Sequence, residues 1–324
     1  MSDQRLHRNM GLDLVRATEA AALAAARWMG LGLAQEAETA ASVAMARALA
    51  NLDFDGQIAV SKAGRLGLLN ALPAGQRVGT GRGVAVDVLA DVIDGRRLLA
   101  QGRPGAVSVA AVTLRGAIWS PSPAVYMEKI VVCREVAPAL VPECMRAPAA
   151  WTLGLIARAK RKAVRDLVIF VLERPRHADL IAEIRAAGAR VMLADDGDIA
   201  GAVLAAAPDG PVDALMGAGG AVEGMTAACA VKALGGGMLA RIAPQSDDER
   251  AAVAEAGLDT RRVLTCNDLV TKGQIFFVVT GITDGLLLKG ADFSGDRATT
   301  NSLILRSETR TRRTIVAEHL LEPE

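Results

Sequence analysis

Aromatic side chains are scarce: five Phe, three Trp and one Tyr make up 3% of the 324 residues. An aromatic-rich β-sandwich is a poor match for that inventory, whereas layered α/β structure built from Ala, Val, Leu, Ile and Gly suits it. Neither sign of charge is in excess, with 37 Lys and Arg against 36 Asp and Glu. The near-neutral balance supplies no field for capturing nucleic acid or an anionic membrane, so an anionic ligand has to be small and met locally. The four cysteines, Cys133, Cys144, Cys229 and Cys266, show no CxxC spacing, and no cationic leader with an apolar core opens the sequence. Each is expected to be a small buried hydrophobe in a reducing, cytoplasmic setting. No apolar run reaches the roughly 20 residues of a membrane span. What is abundant is hydrophobic residue, 51% of the chain, enough for a substantial core.

The apolar periodicity predicts two helices over 12–28 and 34–49, broken at Met29-Gly30-Leu31-Gly32. Strands are predicted over 56–60, 84–89, 106–113 and 129–132, which together imply a mixed sheet in the first half. The Pro-rich stretch with Pro138, Pro142 and Pro148 suggests a boundary between two αβ halves, 1–150 and 151–324. Beyond it, helices (151–162, 178–187, 199–206) alternate with strands (167–172, 190–193, 214–216), the pattern of right-handed crossovers and a largely parallel sheet. After the glycine turn 217–220 a helix follows, and the tail returns to β character at 275–279, 285–288 and 303–305. There is no internal repeat.

Acidic residues stand at or just after three strand ends: Asp91 and Asp94; Asp195, Asp196 and Asp198; and Glu223. Carboxylates converging at sheet ends are how Mg²⁺ is held against a phosphate, although a lone loop Asp beside Gly is more often a turn or cap. Arg174-Pro175-Arg176-His177 lies between a strand and a helix, where guanidiniums and helix amides can cradle a phosphate or simply form a solvated basic turn. His177 reads as a helix-start or packing residue, since no second His stands at ligand spacing. Tyr126, the single tyrosine, suits either a sugar or phosphate contact or plain packing. Gly217-Ala218-Gly219-Gly220 imitates a dinucleotide loop, but the acidic strand end comes before the glycines rather than after them.

Taken together, these stretches resemble the class II fructose-1,6-bisphosphatases, from about Arg16 to the C-terminus. The likeness is carried by Arg16 to Leu23, Val78 to Gly83, Tyr126 to Lys129, Arg174 to His177, Asp196-Gly197-Asp198, Gly217 to Gly224, Thr280 to Thr283 and Ala298-Thr299-Thr300. The resemblance implies a layered sugar-phosphatase fold of the lithium-sensitive phosphatase kind. It also implies Mg²⁺- or Mn²⁺-dependent hydrolysis of the 1-phosphate of fructose-1,6-bisphosphate, or of sedoheptulose-1,7-bisphosphate, in gluconeogenesis or the Calvin cycle. A homo-oligomer is implied as well. By position, the metal ligands would be Glu38, Asp91, Asp94 and Glu223. The substrate contacts would be Asp94, Gly95, Arg96, Tyr126, Arg174, Pro175, Arg176, Asp196, Gly197, Asp198 and Gly220. Most metal ligands would fall in the first half and the sugar-phosphate site in the second.

Two departures bear on catalysis. Ser61-Lys62-Ala63-Gly64 places Lys62 where the family has a glutamate metal ligand, and an ammonium cannot ligate Mg²⁺. Arg96 replaces the signature threonine that helps orient the attacking water, and a guanidinium cannot accept a proton from water. Two functional classes follow: a metal-dependent sugar-bisphosphate phosphatase with weakened activity, or a catalytically degenerate sugar-phosphate-binding protein that regulates or partners an active paralogue.

Overall fold

The computed structural model describes residues 5–61 and 72–321. In chain order its strands are β1 (Asp55–Val60), β2 (Arg77–Val78), β3 (Ala85–Asp94), β4 (Val107–Leu114), β5 (Tyr126–Val132), β6 (Val168–Leu172), β7 (Arg190–Ala194), β8 (Ala214–Gly220), β9 (Gly237–Ile242), β10 (Leu264–Thr265), β11 (Ile275–Gly281), β12 (Asp292–Ser294), β13 (Arg297–Arg306) and β14 (Thr311–Leu320). The helices used below are α1 (Met10–Ala26), α2 (Ala34–Ala50), α3 (Arg96–Ala100), α4 (Ala149–Lys160), α5 (Ala178–Ala186), α6 (Asp198–Ala206), α7 (Ala221–Leu234) and α8 (Asp247–Glu255). The result is the α/β class expected, organised as two compact units, each around its own sheet.

Unit 1 comprises residues 1–118 and 272–324. Its sheet runs β12-β13-β11-β4-β3-β1-β2, with β14 on the outer edge of β13, and it is antiparallel except where β1 meets β3. Helix α1 forms because its alanines and leucines have high helix propensity; it ends at Ala26, and Gly30 and Gly32 take positive φ in the turn that leads to α2. Small residues let it lie close to the sheet. A methyl group on Gly11 would sit 2.8 Å from Ile304 and 2.9 Å from Phe276. Leu14, Met45, Phe54, Val88, Val112, Phe276 and Ile304 form one continuous core. Full burial of such a side chain contributes about 1.5–3 kcal/mol.

Unit 2 is residues 119–271, with strand order β10-β9-β5-β8-β6-β7 and a core of Ile130, Leu153, Ile169, Val171, Ile184, Met216 and Leu239. Its two ends meet, for the Trp119 N–H donates to the Leu269 carbonyl at 3.0 Å.

Several expectations are corrected. The division lies at 118/119 rather than near residue 150, and the C-terminal tail returns to unit 1, because β11 inserts between β4 and β13 along its whole length. The Pro-rich stretch instead folds into short 3-10 turns inside unit 2. The strand expected at 129–132 joins the second sheet, between β8 and β9. That sheet is mixed: β6 runs parallel to β7 and β8, while β5, β9 and β10 pair antiparallel. Residues 285–288 are bent, irregular chain rather than a strand. No helix among the described residues is long and apolar enough to cross a membrane.

Candidate active site

In unit 1, three buried carboxylates lie on two neighbouring elements. Asp91 and Asp94 are at the end of β3, and Glu38 is on α2, which packs against β3 and α3; each is 3% exposed. Residues three apart on a regular strand face opposite ways. Here Asp91 pairs with Val109 and Asp94 with Val107, so β3 carries one residue more than β4 across this interval. Such a bulge resets the alternation and lets the two carboxylates share a side. Gly95 then turns the chain at φ +95°, where a Cβ would stand 3.1 Å from the Ala106 Cα, and α3 begins at Arg96. The Arg96 Nε lies 3.9 Å from the Glu38 Oε2. Glu38, Asp91, Asp94, Gly95 and Arg96 thus occupy one region of unit 1, while Lys62 lies outside the described residues.

In unit 2, Tyr126, Arg174, Pro175, Arg176, Asp196, Gly197, Asp198 and Gly220 come from the carboxyl ends of β6, β7 and β8 and the start of β5. Ligands of open α/β sheets bind at such edges. Tyr126 stands directly opposite Gly220 in the β5–β8 ladder. The Arg176 guanidinium stacks over the Tyr126 ring, 5.1 Å from its centre, while its Nε and Nη2 donate to the Ala218 carbonyl at 3.2 and 2.8 Å. Partial desolvation holds the Arg176 pKa below its ordinary value without threatening its charge. Arg174 donates to the Asp195 carbonyl at 2.5 Å and lies 3.6 Å from the Asp196 carboxylate. Both guanidiniums are fixed in place, and each has five N–H donors, more than these bonds use.

The glycine run 217–220, expected as a turn, is the last part of strand β8, and Glu223 sits in the first turn of α7. Glycine is required there because side chains crowd the strand. A Cβ on Gly219 would lie 2.0 Å from the Asp198 Oδ2 and 2.7 Å from the Lys129 Nζ; one on Gly220 would lie 1.9 Å from the Glu223 Oε2. His177 is buried as a packing residue: its Nδ1 contacts the Leu172 carbonyl at 2.6 Å and its Nε2 accepts from the Ala218 N–H at 2.8 Å. That pair of bonds specifies the neutral Nδ1–H tautomer. Burial, helped by Arg176 and Lys129, lowers the His177 pKa.

Two residues of this region were not singled out from the sequence. Lys129 is wholly buried and meets Asp198 at 2.6 Å, so the carboxylate expected to touch substrate is engaged inside the unit. Its signals were a lone cation in β5 and its place at the end of the Tyr126–Lys129 stretch. Glu249, at the start of α8, accepts from the Val125 and Tyr126 N–H groups at 2.6 and 2.9 Å and from Gln245 at 2.9 Å. Ser246 followed three residues later by Glu249 is a capping-box spacing, which marks a helix start but not this contact with β5.

Among the described residues no group of three His, Cys, Asp or Glu side chains is placed to hold a metal ion. The Arg96 guanidinium lies beside Glu38.

The model of the family described as bacterial fructose-1,6-bisphosphatase, glpX-encoded, matches residues 8–319. Over 330 aligned positions the chain is 37% identical to the fructose-1,6-bisphosphatase class 2 of Haemophilus influenzae, covering 98% of both chains. It is 35% identical to the fructose-1,6-bisphosphatase 1 class 2 of Escherichia coli K12, over 98% of this chain and 97% of that one.

Proposed function

Because the chain belongs to the bacterial, glpX-encoded fructose-1,6-bisphosphatase family, we propose that it binds a sugar bisphosphate through Tyr126, Arg174, Arg176 and Gly220 of unit 2. Fructose-1,6-bisphosphate is the first candidate and sedoheptulose-1,7-bisphosphate the second. The observation that carries this reading is the pair of pre-positioned guanidiniums, Arg176 clamped between the Tyr126 ring and the Ala218 carbonyl and Arg174 tied to Asp195. Arginines fixed in this way bind phosphate without first losing side-chain freedom. The family's reaction is metal-dependent hydrolysis of a phosphate monoester, and bound Mg²⁺ or Mn²⁺ would activate water and neutralise phosphate charge. With Arg96 beside Glu38, hydrolysis of the 1-phosphate is slowed, since a cationic donor binds phosphate yet activates no water.

A second reading, a sugar-phosphate binder without turnover, is favoured by that same Arg96–Glu38 pair. Two measurements on purified protein separate the readings: calorimetric binding of fructose-1,6-bisphosphate in a chelator, and phosphate release with Mg²⁺ or Mn²⁺ beside a Glu223→Ala control. Binding weakened at least about tenfold by Arg176→Ala supports the recognition site; undiminished binding sinks it. Slow release that Glu223→Ala abolishes identifies a working phosphatase, and no release despite binding identifies a binder.

A further inference from the structure

The arm that leads into α1, residues 5–9, and the turn that joins β13 to β14 border an open pocket of about 840 Å³ whose lining includes Arg5, His7, Arg8, Arg306 and Glu308. Three guanidiniums thus share the pocket with one carboxylate, in a chain whose total charge is nearly balanced. Both walls are tied to the sheet. Leu6 is buried, and its N–H donates to the Gln274 side-chain oxygen at 2.8 Å. Across the pocket, the Ile275 N–H donates to the Ser307 Oγ at 2.8 Å. Arg306 is the fixed cation: its guanidinium stacks on the Phe276 ring, 5.2 Å from the centre, and its Nη2 pairs with Glu308. Its Nε–H is buried and has no acceptor among the described residues. Phe276 pairs with Arg306 near the start of β11, whereas Gly281, at the other end, pairs with Val107 and through it with Asp94. The strand from Phe276 to Gly281, roughly 17 Å long, therefore separates this pocket from the carboxylates of the candidate active site.

We propose that this pocket binds a small molecule through a phosphate or diphosphate group, apart from the sugar-phosphate site of unit 2. Guanidiniums on two walls approach one ligand from different directions. A tetrahedral phosphate presents oxygens to both walls, whereas a planar carboxylate satisfies a single fork. A phosphate beside Arg306 also supplies the acceptor that its Nε–H lacks, relieving the cost of burying that donor unpaired. The N-terminus of α1 follows the arm directly and adds the positive end of a 17-residue helix; Asp13 in its first turn and Glu308 are the charges that oppose the ligand. A ligand held by Arg8 on one wall and Arg306 on the other staples the arm to the β13–β14 turn.

The probe is inorganic pyrophosphate, titrated calorimetrically into the full-length Arg176→Ala protein, in which a phosphate contact of unit 2 is removed. One site is expected to remain, and adding Arg8→Glu should weaken it at least about tenfold. Glu308→Gln in the same background should tighten it at least about twofold, because the competing carboxylate is gone; a variant damaged in its fold would not gain affinity. Circular dichroism establishes that each variant is folded. Hydrogen exchange gives the location: in the wild type, pyrophosphate should slow exchange of the backbone amides of residues 5–9 and 306–309, and sodium chloride at equal ionic strength should not. No binding to the Arg176→Ala protein, affinity unchanged by Arg8→Glu, affinity not raised by Glu308→Gln, or protection that is missing from either segment or matched by chloride overturns the proposal. Fructose-1,6-bisphosphate binding that Arg176→Ala leaves undiminished is a separate result, which bears on unit 2 alone.

Discussion

Lys129 is 0% exposed, and its ammonium is held by Asp198 at 2.6 Å. Removing one member of such a pair strands the other charge, so Lys129→Met should cost about 3–5 kcal/mol in urea unfolding. Replacing both, as Lys129→Met with Asp198→Asn, should recover part of that loss. A double mutant no more stable than Lys129→Met would show that the pair is not coupled. Gly219→Ala should be comparably damaging, because its methyl would lie 2.0 Å from the Asp198 Oδ2. His177 acts through pH. Its folded pKa is lowered by burial, so below the ordinary value of 6.5 the unfolded chain binds a proton that the folded chain resists. The stability it contributes is complete above about pH 6.5 and is lost as the pH falls through the lowered folded pKa. His177→Gln should therefore flatten the fall in stability between about pH 7.5 and 5.5, measured against wild type. Cys266, with its thiol pushed up to about 12 by burial, should resist thiol reagents until the protein unfolds.

Element by element, what the sequence showed depended on whether a pattern was local. The helix pair α1–α2, the alternation from β6 to α7, and the placement of Arg174, Arg176, Asp196 and Gly220 beside strand ends all follow from periodicity and strand-end position, and the structure brings these unit 2 residues together. Pairing partners are not local. The sequence 126–132 reads as a strand, but nothing in it says that β8 and β9 flank it. The glycines of β8 looked like a turn because glycine is so often one. They pair with β5 as strand residues, and Gly219 and Gly220 are glycine because Lys129, Asp198 and Glu223 fill the volume that a Cβ would need. The contact from α8 to the start of β5 was equally hidden. Glu249→Ala leaves three N–H groups without their carboxylate, those of Val125, Tyr126 and Gln245. It should cost about 1–3 kcal/mol in urea unfolding and, by loosening Tyr126 under Arg176, weaken sugar-bisphosphate binding. Unchanged unfolding would show that other groups hold this strand end.

At the scale of the whole chain, the boundary went unread because proline marks local turns, whereas a unit is defined by which strands share a sheet. Residues 119–271 are an insertion in unit 1 whose ends are joined by the Trp119–Leu269 hydrogen bond. Expressed alone, this segment should fold, unfold in one cooperative transition and remain soluble; an excised segment without cooperative unfolding would show that it depends on the rest of the chain.

The position of β11 between β4 and β13 also sets a timetable for synthesis. As the nascent chain leaves the ribosome, residues 119–271 are complete while the first 118 residues still lack the strands that fill their sheet. The earlier-made segment must wait, with β4 unpaired on one side, until β11 to β14 emerge at the end of translation. A ribosome stalled once residue 271 has cleared its exit tunnel would thus carry a finished unit 2 beside a protease-sensitive N-terminal segment, although that segment was made first.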